Sequence, residues 1–233
     1  MMRRTCWKLL LCAILAGILA IGAFAEPALT DADSQSVDEQ AVAEALAAEL
    51  YARAAADEPA VTADLRSMET GYAYLIGLEF RLKTKESIAR KILLEAHTLE
   101  ITPEEAAAAI NDALRYTFCI DEARYVETTD DILHQLDAKG YKIEKVKNTW
   151  GNTLLYKGIN SKLRLADGLI MELQFHTPES YDAKESKTHA YYEILRSENS
   201  TDEEKQMAAE KQAEVFGQVP VPDGAAEYTW SQD

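Results

Sequence analysis

The segment Gly168–Thr177, GLIMELQFHT, constrains the fold of this chain more than any other stretch. Apolar residues dominate it, and in a β-strand side chains two positions apart share a face. Glu172, Gln174 and His176 would then project together, while the alternate side chains face the other way. The segment therefore predicts a strand with one apolar and one polar face. That polar face indicates either a solvated edge strand or the floor of a functional site.

The rest of the chain predicts an α+β fold around this strand. Further strands are expected at RYTFCI, at YKIEKVKNTW and in LYKGINSKLRL, which the turn Ala166–Gly168 joins to the first segment as a hairpin. Helical periodicity flanks the basic segment RLKTKES, Thr102 and Pro103 begin a capped helix, and Gly140 ends another. We interpret this order as a mixed or antiparallel sheet of about four to five strands flanked by helices.

The first 25 residues have the pattern of a secretory signal peptide. Arg3, Arg4 and Lys8 precede an apolar run, and Ala23–Ala25 is a small-x-small cleavage site. The alternative is an uncleaved membrane anchor, for which the apolar run is short. We therefore expect an exported protein, secreted or extracytoplasmic, without stable membrane association after cleavage.

Four segments are expected along the chain. They are a signal peptide (1–25), an acidic, alanine-rich spacer (26–64), the globular domain (65–200), and a C-terminal helix with an irregular tail (201–233). Of three cysteines, Cys119 alone lies beyond the signal peptide, so an apolar core without disulfides must hold the domain. We interpret Cys119 as a small core residue.

The charge of the chain is strongly acidic, but two segments are basic. The formal net charge is −16, and loss of the three positive charges of the signal peptide makes it −19. Nonspecific binding to DNA or to anionic membranes is therefore disfavoured. Against this background, residues 81–91 carry five basic side chains and residues 139–164 carry seven, each with a single glutamate. These two islands are either solvated basic faces or binding surfaces for a polyanion.

Asp112 and Glu172 are candidate metal ligands. Asp112 lies where a helix gives way to the strand RYTFCI, and Glu172 lies in the middle of the strand described above. Two carboxylates on adjacent strands can hold Mg²⁺, which takes one or two protein carboxylates together with substrate phosphates. The lysines and arginines of the basic islands would bind the rest of a phosphate chain.

Four motifs in order, RLKTKESIARK, DALRYTF, YKGINSKL and MELQFHT, resemble the synthetase domain of the RelA/SpoT family. These are (p)ppGpp synthetases of the nucleotidyltransferase superfamily, and the resemblance covers residues 65–197. The matching positions are Arg81, Lys83, Ser87, Arg90, Lys91, Asp112, Arg115, Tyr156, Glu172, Gln174 and Thr177. The chain departs from the motifs at Leu155 for Gly, Lys157 for Arg, Gly158 for Ser, Asn160 for His and His176 for Arg.

The resemblance implies transfer of pyrophosphate from ATP to the 3′-hydroxyl of GDP or GTP. The first motif would hold the ATP phosphates, and Asp112 and Glu172 would ligate Mg²⁺, with Glu172 also accepting the hydroxyl proton. Tyr156 would stack on the acceptor base. The other residues that it implies are Arg115 in the catalytic group and Lys157, Asn160, Gln174 and His176 in the nucleotide site.

The resemblance also implies a lone synthetase module, as in small alarmone synthetases and toxic synthetases. Together with the signal peptide, it leads us to expect an exported effector or toxin that acts inside a recipient cell. Two alternatives stay open: a related phosphotransferase acting on adenine nucleotides or a tRNA 3′ end, and a secreted non-catalytic nucleotide-binding module. The sequence does not indicate an oligomeric state.

Overall fold

A computed structural model describes residues 31–151, 156–197 and 200–231. The expected signal peptide and Leu155 lie outside the described residues. The structure confirms an α+β fold in which helices flank a five-stranded mixed sheet. Among the residues described, no helix is both long and apolar enough to cross a lipid bilayer.

Seven α-helices and five strands are described. The helices are α1 (Asp31–Arg66), α2 (Lys85–Leu99), α3 (Pro103–Ala109), α4 (Tyr125–Ala138), α5 (Pro178–Asp182), α6 (His189–Arg196) and α7 (Asp202–Gly217). The strands are β1 (Ala73–Ile76), β2 (Arg115–Ile120), β3 (Lys142–Asn148), β4 (Ile159–Arg164) and β5 (Ile170–His176). Short 3₁₀ turns precede α2 and α4, and a π-helical turn separates α5 from α6.

Strand β5 lies in the middle of the sheet, whose order is β1-β2-β5-β4-β3. It pairs parallel with β2 and antiparallel with β4, so the edge-strand interpretation of GLIMELQFHT is wrong. Glu172 is the register partner of Arg115 on one side and of Lys162 on the other. A central strand with a polar face needs partners for that face, because buried polar groups without them are costly.

The two faces of the sheet differ as the alternation predicts. Met171, Leu173 and Phe175 of β5 are fully buried in the core. Phe175 stacks on Phe118 of β2, with ring centroids 6.2 Å apart and planes inclined by 9°. The opposite face carries the polar side chains of β2, β4 and β5. The core therefore fixes which way the functional face of β5 points.

The segment 26–64, expected as a spacer, is part of the folded domain over its described residues. Helix α1 packs against α2 and α3 and buries Ala43, Ala47, Ala54 and Val61. Alanine carries no long side chain, so the helix can lie close to its neighbours while showing little apolar stripe in the sequence. The spacer prediction missed this because the buried positions are small rather than strongly apolar.

Strand β1 was also missed. Helical periodicity was expected here, but Ala73–Ile76 pairs antiparallel with β2, and Gly77 then turns the chain with φ 67°. At four residues β1 is too short for its period to be distinguished from that of a helix. Pairing with β2 decides its conformation instead.

The predicted caps and the predicted tail are present. Thr102 and Glu105 form a capping box at the start of α3, and Gly140 takes φ 95° after α4. The π-helical turn Ala183–Lys187 interrupts the helical segment that runs from α5 to α6. The residues after α7 form no further helix or strand as far as residue 231, and Ala225 is nonetheless fully buried.

Candidate functional site

Asp112 lies beside β2 at the edge of the polar face, next to the first basic island. Two backbone hydrogen bonds pair the island with the start of β2: Lys83 donates to Ala113 (3.0 Å), and Arg115 donates to Arg81 (2.8 Å). This pairing brings side chains that are far apart in the sequence into one place. Asp112 is therefore close in space to the basic motif from which it is distant in sequence.

Two lysines bind the Asp112 carboxylate. Lys83 Nζ lies 2.9 Å from Oδ2, and Lys91 Nζ lies 3.0 Å from Oδ1. Burial raises the pKa of Asp112, but the charges and hydrogen bonds of both lysines outweigh it and hold that pKa well below its ordinary value. Burial lowers the pKa of Lys83, whereas for Lys91 the attraction of Asp112 prevails and raises it. Asp112 is thus an ionised carboxylate in a largely buried setting.

Glu172 carries the second buried carboxylate, and its side chain is only 12% exposed. Its Oε2 accepts a hydrogen bond from the Lys162 ammonium, and its Oε1 accepts one from the Gln174 amide. Burial raises the pKa of Glu172, but the charge and hydrogen bond of Lys162 outweigh it, so the pKa is lowered. Gln174 in turn accepts from Lys184 at 3.0 Å.

The two carboxylates belong to one electrostatic cluster, which we call the carboxylate–lysine cluster: Asp112, Glu172, Lys83, Lys91 and Lys162. The charge of Asp112 acts to raise the pKa of Glu172, and the charge of Glu172 acts to raise that of Lys91. Lys162 also contacts the carbonyl oxygen of Asn111 at 3.4 Å. Its ammonium therefore connects β5 with the turn that carries Asp112.

His176 is fully buried behind this cluster, and its contacts fix its tautomer. Its Nδ1 lies 2.7 Å from Ser180 Oγ, and that hydroxyl donates its one proton to the carbonyl oxygen of Lys157. Ser180 Oγ must therefore accept from Nδ1–H, which leaves Nε2 as an acceptor. Burial lowers the pKa of His176 to about 3, so the ring is neutral.

Tyr156 lies against His176 and beside Asn160. The ring centroids of Tyr156 and His176 are 5.5 Å apart, and burial raises the pKa of the Tyr156 hydroxyl to about 12 against the opposing effect of a hydrogen bond with Asn160. Within the described part of the chain, Asn160 Oδ1 and His176 Nε2 are buried without a hydrogen-bond partner. This corner of the site thus presents two acceptor atoms.

Gly158 makes the close packing of this corner possible. A Cβ at this position would lie 2.8 Å from His176 Cε1 and 2.9 Å from the Phe175 carbonyl oxygen. The motif that the segment resembles has serine here, whereas this chain has no room for one. Gly158 and His176 are therefore a matched pair of departures.

Other residues of the first two motifs have partners of their own. Arg81 Nε lies 2.5 Å from Glu58 Oε1 on α1, and Arg115 Nε donates to the Phe80 carbonyl at 3.0 Å. Ser87, in the first turn of α2, accepts from Arg90 at 3.3 Å, and Arg90 is exposed. Their predicted nucleotide contacts stay predictions.

Lys157 is turned away from the role expected of it. Its ammonium is buried and donates to the Trp150 carbonyl oxygen at 2.9 Å. Trp150 packs edge-to-face on Tyr125 in the core. Asn148 donates to the Ala225 and Tyr228 carbonyls and so holds the C-terminal tail.

Sequence reasoning missed three participants: Lys162, Lys184 and Ser180. The alternation of INSKL does place Lys162 on the same face as Asn160, and this signal could have identified it. Lys184 lies in the π-helical turn and Ser180 in α5. Their positions depend on how that segment folds back over β5.

The donor set of the cluster fits a hard divalent cation. Both carboxylates are ionised, and each oxygen keeps acceptor capacity beyond the ammonium or amide that it binds. In the part of the chain that the structure describes, no group of three or more His, Cys, Asp or Glu side chains could hold a metal. A cation at Asp112 and Glu172 would therefore need further oxygen ligands from a substrate, as Mg²⁺ commonly does.

Three solved structures illustrate what this chain is similar to. The type VI effector Tas1, solved with its immunity protein, is 23% identical with a TM-score of 0.46, and the alignment covers 72% of this chain and 93% of Tas1. Small alarmone synthetase 1 of Bacillus subtilis, bound to its product pppGpp, is 14% identical with a TM-score of 0.49, covering 72% and 88%. A GTP pyrophosphokinase family protein of Streptococcus pneumoniae is 15% identical with a TM-score of 0.40, covering 86% and 100%.

Comparison by sequence gives a different result. No protein-family model matches the chain. The large ribosomal subunit protein bL9 of Gemmatimonas aurantiaca is 36% identical over 110 residues, which cover 42% of this chain and 75% of that protein. A chain of net charge −16 lacks the cationic balance with which RNA-bound proteins neutralise phosphates, so no ribosomal role follows from this match.

Proposed function

We propose that this domain is a nucleotide pyrophosphokinase that transfers pyrophosphate from ATP to the 3′-hydroxyl of GDP or GTP. One observation carries the proposal: two ionised, largely buried carboxylates are ion-paired with three lysines. Lysines and a carboxylate pair that can take a divalent cation are the groups that phosphoryl transfer requires. The order of the four motifs in the sequence supports the same assignment.

The residues of the cluster divide the work as follows. Lys83 and Lys91 bind the phosphate chain of ATP, and Asp112 holds both lysines in place. Glu172 takes the proton of the attacking hydroxyl. Mg²⁺, held by Asp112 and Glu172 together with phosphate oxygens, would neutralise the charge that develops on the transferred group.

The bond changes in this reaction balance without a further reactant. The 3′-oxygen of the acceptor bonds to the β-phosphorus of ATP, and the bond from that phosphorus to the oxygen of the α-phosphate breaks. AMP leaves with that electron pair, and the hydroxyl proton goes to Glu172. Because Lys162 lowers the pKa of Glu172, the carboxylate is ionised at the start of the reaction.

The corner formed by Tyr156, Asn160 and His176 is proposed as the acceptor site. The Tyr156 ring offers an apolar face for a base. The two unpartnered acceptor atoms are buried in this structure and would accept from N–H or O–H groups of the acceptor nucleoside once side-chain movement exposes them. A ligand without such donors would leave both atoms unsatisfied, which costs about 1–3 kcal/mol per group.

The test is AMP formation by the purified domain. The protein is incubated with ATP, Mg²⁺ and either GDP or GTP, and AMP and the acceptor product are measured by chromatography. Glu172→Gln should abolish AMP formation. Glu144→Gln is the matched control, because Glu144 also pairs with a basic residue of β4 (Arg164 Nε, 2.5 Å) but lies outside the cluster. Equal AMP formation by Glu172→Gln and the wild type would refute the assignment.

The same assay separates the alternatives. AMP formation with ATP or ADP as acceptor, or transfer to a tRNA 3′ end, would identify a related phosphotransferase. Nucleotide binding without AMP formation in any mixture would identify a non-catalytic module.

We further propose that the protein is exported and acts inside a recipient cell. The proposal rests on the signal-peptide pattern of residues 1–25 and on the scarcity of ATP and GTP outside cells. The measurement is the N-terminal sequence of the protein recovered from the culture medium. Recovery of the intact chain from the producing cell alone, still bearing Met1, would contradict it.

A further inference from the structure

Lys162 is the residue of the cluster that neither the motifs nor the predicted metal site require. Its register partner on β5 is Glu172, and its ammonium donates to that carboxylate and to the Asn111 carbonyl oxygen. The two charged side chains are 20% and 12% exposed, so water screens their attraction only in part. Glu172, the proposed ligand of a divalent metal ion, is thus already paired with the Lys162 ammonium.

We propose that Lys162 is a built-in counter-cation that a divalent metal ion must displace from Glu172, and that the displaced ammonium then binds substrate phosphate. This inference rests on the proposed metal site at Asp112 and Glu172. Three features of the structure carry it: the cross-strand register, the direct contact, and the position of Lys162 between the segments that bear the two carboxylates.

The first half of the inference follows from charge. A divalent ion bound to Glu172 would lie within a few ångströms of the Lys162 ammonium, and like charges that close repel strongly where water is largely excluded. Without metal, the ammonium keeps the buried carboxylate paired, because a buried charge without a partner is costly. Metal and lysine therefore compete for one carboxylate.

The second half follows from the reach of lysine. Its ammonium is a compact charge on a flexible four-carbon stem, so it can change partners without movement of β4. A nucleotide triphosphate that arrives with its metal brings several negative charges to the same place. The Lys162 ammonium then leaves the Glu172 carboxylate and binds a phosphate of the nucleotide. Each charged group of the cluster keeps a partner of opposite charge before and after this exchange.

The experiment measures Mn²⁺ binding by electron paramagnetic resonance, in which free Mn²⁺ gives the signal, without any turnover. Lys162→Met should bind Mn²⁺ about tenfold more tightly than the wild type in the absence of nucleotide, because the competing charge is gone. With a non-hydrolysable ATP analogue, the same variant should bind the nucleotide about tenfold more weakly. Lys162→Arg, which keeps the charge, should resemble the wild type in both.

Lys145→Met is the matched control, since Lys145 is the exposed register partner of Lys162 on β3 and should change neither affinity. Unchanged or weaker Mn²⁺ binding by Lys162→Met would overturn the competition, and unchanged nucleotide affinity would overturn the exchange of partners. If the methionine variant does not fold, Lys162→Gln serves in its place and faces the same criteria.

Glu172→Gln and Asp112→Asn separate this inference from the proposed function. If neither variant weakens Mn²⁺ binding, the metal does not bind at these carboxylates and the proposed site itself is wrong. If both weaken it while Lys162→Met binds as the wild type does, the metal site stands and only the role of Lys162 is refuted.

Discussion

The neutral His176 should make the domain unusually sensitive to mild acid. In the fold its pKa is lowered from 6.5 to about 3, because burial disfavours the charged ring. As the pH falls below 6.5, the unfolded chain binds the proton and the folded chain does not, so stability is full above pH 6.5 and declines below it. Each pH unit costs about 1.4 kcal/mol, so about 3 kcal/mol is lost from this residue by pH 4.5.

Urea unfolding of the wild type and of His176→Gln between pH 7.5 and 4.5 measures this loss. Glutamine cannot take up a proton, and its amide can still donate to Ser180, so the variant should start less stable but lose about 3 kcal/mol less over the range. Other groups titrate alike in both proteins and cancel in the comparison. Identical slopes would refute the reasoning. Nitrogen chemical shifts of the wild-type ring supply a second measurement and should show a proton on Nδ1 and none on Nε2.

Three further changes have outcomes that the contacts determine. Gly158→Ala should destabilise the domain by about 3 kcal/mol in urea unfolding, because its Cβ would overlap the His176 ring and a carbonyl oxygen, while Gly71→Ala, which meets nothing within 4 Å, should be neutral. Asp112→Asn should cost about 3 kcal/mol, since it leaves two ammonium groups without their carboxylate; equal stability would contradict the cluster. Asn148→Ala should release the C-terminal tail and speed its cleavage by a protease, and an unchanged cleavage rate would show that the tail is held elsewhere.

Local signals in the sequence predicted much of the fold. The Thr102 capping box, the hairpin turn and the two faces of GLIMELQFHT each depend on residues close in the chain. The central position of β5 could not be predicted in this way, because edge and centre differ only in what pairs alongside. The burial of α1 could not be predicted for a related reason. An alanine is buried only when another element packs closely against it, and its small side chain gives no apolar pattern that indicates this.

The part of the site that the sequence predicted is its pair of carboxylates. Adjacent strands were expected for Asp112 and Glu172, and β2 and β5 are indeed paired. Which lysines would meet them was not predictable, because Lys83 reaches Asp112 through a backbone pairing between distant segments. Lys157 shows the opposite error, since a basic residue in a matching motif can still turn its ammonium into the interior.

The parallel pairing of β2 with β5 has a consequence for how the protein acquires its chemistry. Hairpin β4–β5 can form early, because its strands adjoin in the chain, whereas β2 joins β5 only after a long intervening segment has closed on itself. Asp112 belongs to the β2 side and Glu172 to the hairpin, so the two meet in this last step. A partly folded chain therefore carries half of the candidate site on each piece. The proposed transfer reaction therefore requires a completed sheet.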